Sequence, residues 1–174
     1  ISREFQSLQH AHDRKSAVLS DLDRQIQLFG KQTRVEYQPS EGTFFEFHNP
    51  EPFVVYAPES RIRHQKKQLL YYALRAYAIQ FLRPRVDYLA EVCEVKFNAL
   101  RIKDHKSKWG SCSTLRNINL NWQLIFLDED LIDYVIVHEL MHLREMNHSP
   151  RFWSWVGKYY PDYKTARKKI KEHE

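Results

Sequence analysis

A chain of 174 residues that is 43% apolar and carries ten Tyr, ten Phe and four Trp can bury a real core, which excludes a disordered polymer. No apolar run is long enough to span a bilayer, so no membrane partner is expected, and two cysteines, Cys93 and Cys112, cannot make a disulfide framework. The thiols read as reduced and Ile1-Ser2-Arg3-Glu4 begins no signal-peptide core, so the expected location is cytoplasmic.

Taken in chain order, residues 1–29 place Phe5, Leu8, Leu19, Leu22, Ile26 and Phe29 at roughly helical intervals, which predicts a helix ended by Gly30. Three β-like runs follow, Thr33–Gln38, Thr43–His48 and Phe53–Tyr56, separated by Pro39-Ser40-Glu41-Gly42 and Asn49-Pro50-Glu51-Pro52. Turn residues between short strands predict an antiparallel meander. From Glu59 to Leu82, Ile62, Leu69, Leu70, Ala73, Tyr77 and Phe81 share one helical face, with Pro84 marking its end and a further helix expected from Val86 to about Val92.

Val95–Lys103 reads as a strand. In Asn117–Leu124, Ile118, Leu120, Trp122 and Leu124 alternate with Asn117, Asn119, Asn121 and Gln123, the period of a strand with one buried and one polar face. Lys108–Ser113 belongs to a neighbouring strand or the loop into it. Asp128 is the expected N-cap of a helix reaching about Glu145, with Glu129 and Asp130 in its first turn. Ser149-Pro150 has the form of an N-cap followed by proline, so another helix begins there and stops at Pro161; Asp162 begins a last, basic helix.

The chemistry concentrates in His138-Glu139-Leu140-Met141-His142. Histidines four apart on a helix lie one turn apart on one face and can share an ion, and the glutamate after the first can reach a water on that ion. This is the logic of H-E-x-x-H, two zinc ligands and a general base. A pair of surface histidines on an ordinary helix is the bland alternative, but the motif sits in the helical context it needs.

Catalytic zinc takes three protein ligands and keeps one position open. Glu145 and His148 are the candidates for the third. Glu145 shares the helical face but lies about 10.5 Å along the axis from His138, and one straight helix cannot surround an ion. His148 follows Asn147, where the chain can turn back, so His148 is the expected ligand and Glu145 a flanking residue. The interval from His142 to His148 equals that of the metzincin motif, yet Glu145 stands where that motif has Gly, and no Met follows His148.

Other residues read more plainly. Trp109, Trp122 and Cys112 are expected in the core, Tyr160 and Tyr163 are not selected by any spacing, and His10, His12, His48, His64, His105 and His173 are expected at the surface. The positive charge is unevenly spread. No acid lies between Glu59 and Asp87, where Arg61, Arg63, Lys66, Lys67, Arg75, Arg83 and Arg85 fall, and further basic stretches follow at Arg101–Lys108 and Lys164–Lys171. Nucleic acid is therefore a second candidate partner, set against the simpler reading of solvated faces.

Lys108-Trp109-Gly110-Ser111-Cys112, Leu120-Asn121-Trp122, Asp133 to His142, Asn147 to Trp153 and Pro161-Asp162-Tyr163 together resemble the YgjP-like family of metal-dependent hydrolases. The resemblance is specific from about Lys108 to Tyr163 and thinner upstream. It implies a zincin-like α+β fold with zinc on His138, His142 and His148 and Glu139 as base.

The expectation is thus a single α+β domain over 1–174: a helix and meander over about 1–58, then a catalytic part over about 59–174. A small antiparallel sheet packs with helices, and the active-site helix follows an edge strand, Asn117–Leu124, which by analogy with zincins aligns an extended substrate. The expected function is a zinc-dependent metallopeptidase acting on peptides or proteins. The alternatives are a protease recruited to DNA by basic helices and a non-catalytic module held together by zinc. A closed structural zinc site has no need of Glu139, which weighs against the last.

Overall fold

The computed structural model describes residues 24–47 and 52–173. Most of the helix expected over residues 1–29 lies outside them. Its end does not form: Gln25–Leu28 is a strand, β1. Ile26 and Leu28 are both buried while Gln25 is exposed, a period of two that outweighs the helical spacing read upstream. Gly30 is a hairpin residue rather than a helix stop. Leu28 pairs with Lys31, and the loop between them, Phe29-Gly30, has positive φ at both positions (52° and 74°), as a type I′ turn requires.

The chain divides into two compact units, Ile1–Tyr77 and Ala78–Glu174, with the boundary inside a long helix. In the first unit, β2 (Lys31–Pro39), β3 (Phe44–Phe47) and β4 (Phe53–Ala57) join β1 in the order β1-β2-β4-β3. This is not the expected meander. β4 lies between β2 and β3, parallel to β2 and antiparallel to β3. The cause is in its composition: Phe53, Val54, Val55 and Ala57 are all buried, and a continuous apolar run suits a strand flanked on both sides. Tyr77 packs edge-on against Phe45, Phe47 and Phe53 of this sheet.

The helix, α1, runs from Glu59 to Val92 and includes Pro84, which was expected to end it. Proline removes one N–H and crowds the preceding turn. Here Leu82, Val86, Leu89 and Ala90 continue one buried stripe through it, and that burial outweighs the local cost. The helical dihedrals fail instead at Gln65 (φ −135°, ψ 22°).

In the second unit, β5 (Ala99–Lys103), β6 (Gly110–Cys112) and β7 (Asn117–Asn121) form a mixed sheet in the order β5-β7-β6. β7 is parallel to β5 and antiparallel to β6. Both sheets are therefore mixed rather than antiparallel, and the strand Asn117–Asn121, expected at an edge, is central. Among the described residues the sheet's edges are β5 and β6. β7 also ends three residues earlier than its alternation suggests, because Trp122–Phe126 winds into a 3₁₀ turn capped by Asn121, whose Oδ1 accepts from the Gln123 N–H at 3.1 Å.

Asn121 is fully buried rather than on a polar face. Its Nδ2 donates to the carbonyls of His105 (3.0 Å) and Lys108 (3.3 Å), tying the segment that enters β6 to the sheet. Asn121→Ala should cost about 2–3 kcal/mol in denaturant unfolding, the loss of three buried hydrogen bonds.

Three helices complete the unit: α2 (Glu129–Met141), α3 (Pro150–Tyr159) and α4 (Tyr163–Lys171). α2 packs against β6, β7, α3 and α4, and Ile132, Ile136 and Leu140 are among its residues in the core. Arg85 clasps Asp133 of α2 through both carboxylate oxygens, with Nε at 2.7 Å from Oδ1. Among the described residues, no helix is long and apolar enough to cross a membrane.

Candidate metal centre

α2 begins after Asp128 and stops at Met141, short of the expected Glu145. Its last carbonyls are taken by tightened turns: the Leu143 N–H donates to Leu140 O, and the N–H groups of Arg144 and Glu145 both donate to Met141 O. His138 therefore sits in the last turn and His142 caps the helix. The chain then doubles back through Met146 and Asn147 and restarts at α3. Ser149 caps α3, accepting from the Phe152 N–H at 3.2 Å, with Pro150 in the first turn. His148 lies directly before that cap.

The three histidines converge. One ligand atom from each of His138, His142 and His148 lies within 4.8 Å of the others. The Nε2 atoms of His138 and His148 are 3.0 Å apart. Ligands on a tetrahedral zinc ion stand about 3.3 Å from one another, given Zn–N bonds near 2.05 Å. The Nδ1 of His142 is 3.2 Å from the carbonyl oxygen of Glu145. A carbonyl can only accept, so Nδ1 carries the proton and Nε2 keeps its lone pair for a metal. Glu145 thus serves through its backbone, while its carboxylate lies 4.0 Å from Arg151.

Burial favours the neutral form of His138 and His142. It pushes the His138 pKa down to about 3, with His142, His148 and Arg167 adding to the effect. Burial also lowers His142, against the opposing pull of the Glu145 carbonyl. Neutral imidazole is the ligand form.

Aromatic rings hold the cluster. Phe152 is fully buried beneath it, its centroid 5.0, 4.5 and 4.8 Å from His138, His142 and His148. Trp153 stacks on exposed His148 at 5.7 Å and on Tyr163 at 5.4 Å. In the sequence Phe152 and Trp153 stand out only within the Asn147 to Trp153 segment that carries the family resemblance.

Glu139 is 6% exposed, and its Oε2 has no hydrogen-bond partner. Burial raises its pKa to about 8, opposed by Lys108. A buried carboxylate oxygen without a partner is costly, and such groups concentrate at functional sites. Gly110 of β6 makes room for it. A Cβ built on Gly110 would fall 2.6 Å from Glu139 Cγ and 2.8 Å from Oε1. Gly110→Ala should displace this carboxylate and lower kcat on the order of 10–100-fold while metal content is unchanged, a split that metal analysis beside steady-state kinetics would read.

The remaining sequence candidates separate cleanly. Trp122 is core, whereas Trp109, also buried, lines the cavity beside Glu139. The Cys112 thiol is half-buried and pushed up to about 11, chiefly by burial, and it stands outside the histidine cluster. Tyr160 donates to the Asp130 carbonyl at 3.0 Å. His64 and His173 are exposed as expected, His105 is half-buried, and His10, His12 and His48 lie outside the described residues. The basic residues of α1 make no single stripe. Lys66, Lys67, Arg75 and Arg83 point to different sides of the helix, Arg85 is held by Asp133 and Arg63 pairs with Glu59.

The YgjP-like metallopeptidase domain model matches residues 1–173. The chain belongs to that family. Two crystal structures of metallopeptidase zymogens are also similar. Jannalysin of Methanocaldococcus jannaschii is 26% identical over 50% of this chain and 90% of its own, with a TM-score of 0.45. Abylysin of Pyrococcus abyssi is 25% identical over 49% of this chain and 87% of its own, with a TM-score of 0.44. No curated protein matches the chain. Family membership makes this α+β chain a metallopeptidase, acting on peptides or proteins, and implies a metal ion.

Proposed function

We propose that the metal is zinc, held by His138, His142 and His148, and that Glu139 is the general base of peptide-bond hydrolysis. One observation carries the reading: three imidazoles converge on the cavity that holds Glu139, a buried carboxylate whose Oε2 has no hydrogen-bond partner among the described residues. The donor set fits zinc, which favours imidazole nitrogen, and the described residues supply three ligands and no fourth, as a catalytic site requires.

Bound zinc supplies an electrophile that acidifies water to a pKa of about 7 and polarises a carbonyl. The protein supplies the rest. Glu139 takes a proton from the attacking water and returns it to the leaving amine. Burial favours the protonated form of Glu139, the form that returns the proton to the leaving amine. Gly110 keeps the carboxylate against the sheet, and Phe152 keeps the ligand rings in place. β6, an edge strand beside the site, takes over the aligning role expected of Asn117–Leu124 and offers free backbone groups to an extended peptide.

Protein purified without chelator and given an unfolded protein should cleave it, lose the activity to a chelator and regain it with zinc. Cleavage indifferent to chelation would remove the metal from the mechanism.

A further inference from the structure

The cavity that opens on His138 and Glu139 has a volume of about 300 Å³, small for a ligand pocket and suited to a side chain or a peptide end. Apart from Glu139, its charged lining is cationic: Lys108 from the segment entering β6, and Arg167 and Lys171 one turn apart on α4. Among the described residues, none of the three has a carboxylate within ion-pair distance. Elsewhere in the molecule Arg63, Arg85 and Arg144 each have one.

Arg167 is also held in place. Its guanidinium lies 4.4 Å from the centroid of Trp153, the ring that stacks on His148 and Tyr163. A guanidinium fixed on an aromatic face keeps its N–H edge for a planar anion, and carboxylate matches that fork. The cations share their cavity with the proposed base and two proposed ligands, so the anion they meet belongs to the molecule being cut.

We propose that Lys108, Arg167 and Lys171 form a carboxylate-binding subsite, so that the preferred peptides carry an Asp or Glu side chain, or a free C-terminus, next to the bond that is cleaved. The proposal rests on the peptidase reading above.

The test uses one Ala-rich peptide with both ends blocked and a central Glu, its Gln and Lys counterparts, and the Gln peptide with a free C-terminus. Cleavage is measured with zinc-loaded wild-type protein, and binding with zinc-loaded Glu139→Gln protein. A carboxylate-bearing peptide should bind on the order of tenfold more tightly than the blocked Gln peptide, as a charge-assisted pair allows, and be cleaved faster. Which carboxylate confers the gain distinguishes side chain from C-terminus. Arg167→Gln should bring the ratio close to one, and Arg167→Glu should turn the preference toward Lys, a reversal that a merely structural role would not produce.

Selective binding without cleavage of any peptide would leave the subsite standing and overturn the peptidase reading. Equal binding of all four peptides would overturn the subsite, whatever is cleaved. So would a preference that survives both Arg167→Gln and Lys171→Gln, or tighter displacement of the peptide by a single-stranded oligonucleotide. If the Arg167 variants fail to fold, Lys171→Gln and the wild-type peptide series decide.

Discussion

Glu139→Gln should leave the metal bound and reduce kcat by about 10³-fold or more, with little change in KM. Gln is nearly isosteric, so the fit beneath Gly110 survives. It cannot take a proton, and general base catalysis alone contributes about 10²–10⁴-fold. The loss belongs in kcat because the transfer occurs in the transition state. Near wild-type turnover with full metal content would show that the base is another group. Loss of metal together with activity would show that Glu139 supports the ligands rather than the reaction.

His148→Ala should lower zinc affinity by a large factor, on the order of 10²-fold or more, and take activity with it. His138 and His142 approach from one helix end, and His148 alone comes from outside that axis, held by Trp153 and the Ser149 cap. Glu145→Ala should leave zinc nearly stoichiometric, because the bond that orients His142 comes from a backbone carbonyl that the substitution keeps. Zinc titration of the two variants separates the views. Metal lost from the Glu145 variant and kept by the His148 variant would indicate a site of two histidines and a carboxylate.

What was legible in the sequence is what depends on short spacings. His138, Glu139 and His142 are set by one helical turn, and His148 by the Asn147 turn and the Ser149-Pro150 restart, all within thirteen residues of chain. The same locality placed α3 and α4. What was not legible depends on contacts between distant segments. Gly110 matters because its bare backbone meets Glu139, a residue 29 positions later, and nothing local distinguishes it from a turn glycine. Glu145 was weighed for its carboxylate, whereas its carbonyl is the part in use. The parallel insertion of β4 was signalled by its unbroken apolar run, but its partners lie outside any local window. Pro84 shows the converse: a strong local breaker is carried within α1 because the buried stripe continues past it.

The arrangement of the ligands is tested most directly by crystals of zinc-loaded protein measured on both sides of the zinc absorption edge. One anomalous peak per chain is predicted, about 2.0–2.1 Å from a nitrogen of each of His138, His142 and His148, with no fourth protein ligand and the Glu139 carboxylate beside the open position. A peak bound elsewhere, coordination by Glu145 in place of His148, or an ion closed off by a fourth side chain would contradict it.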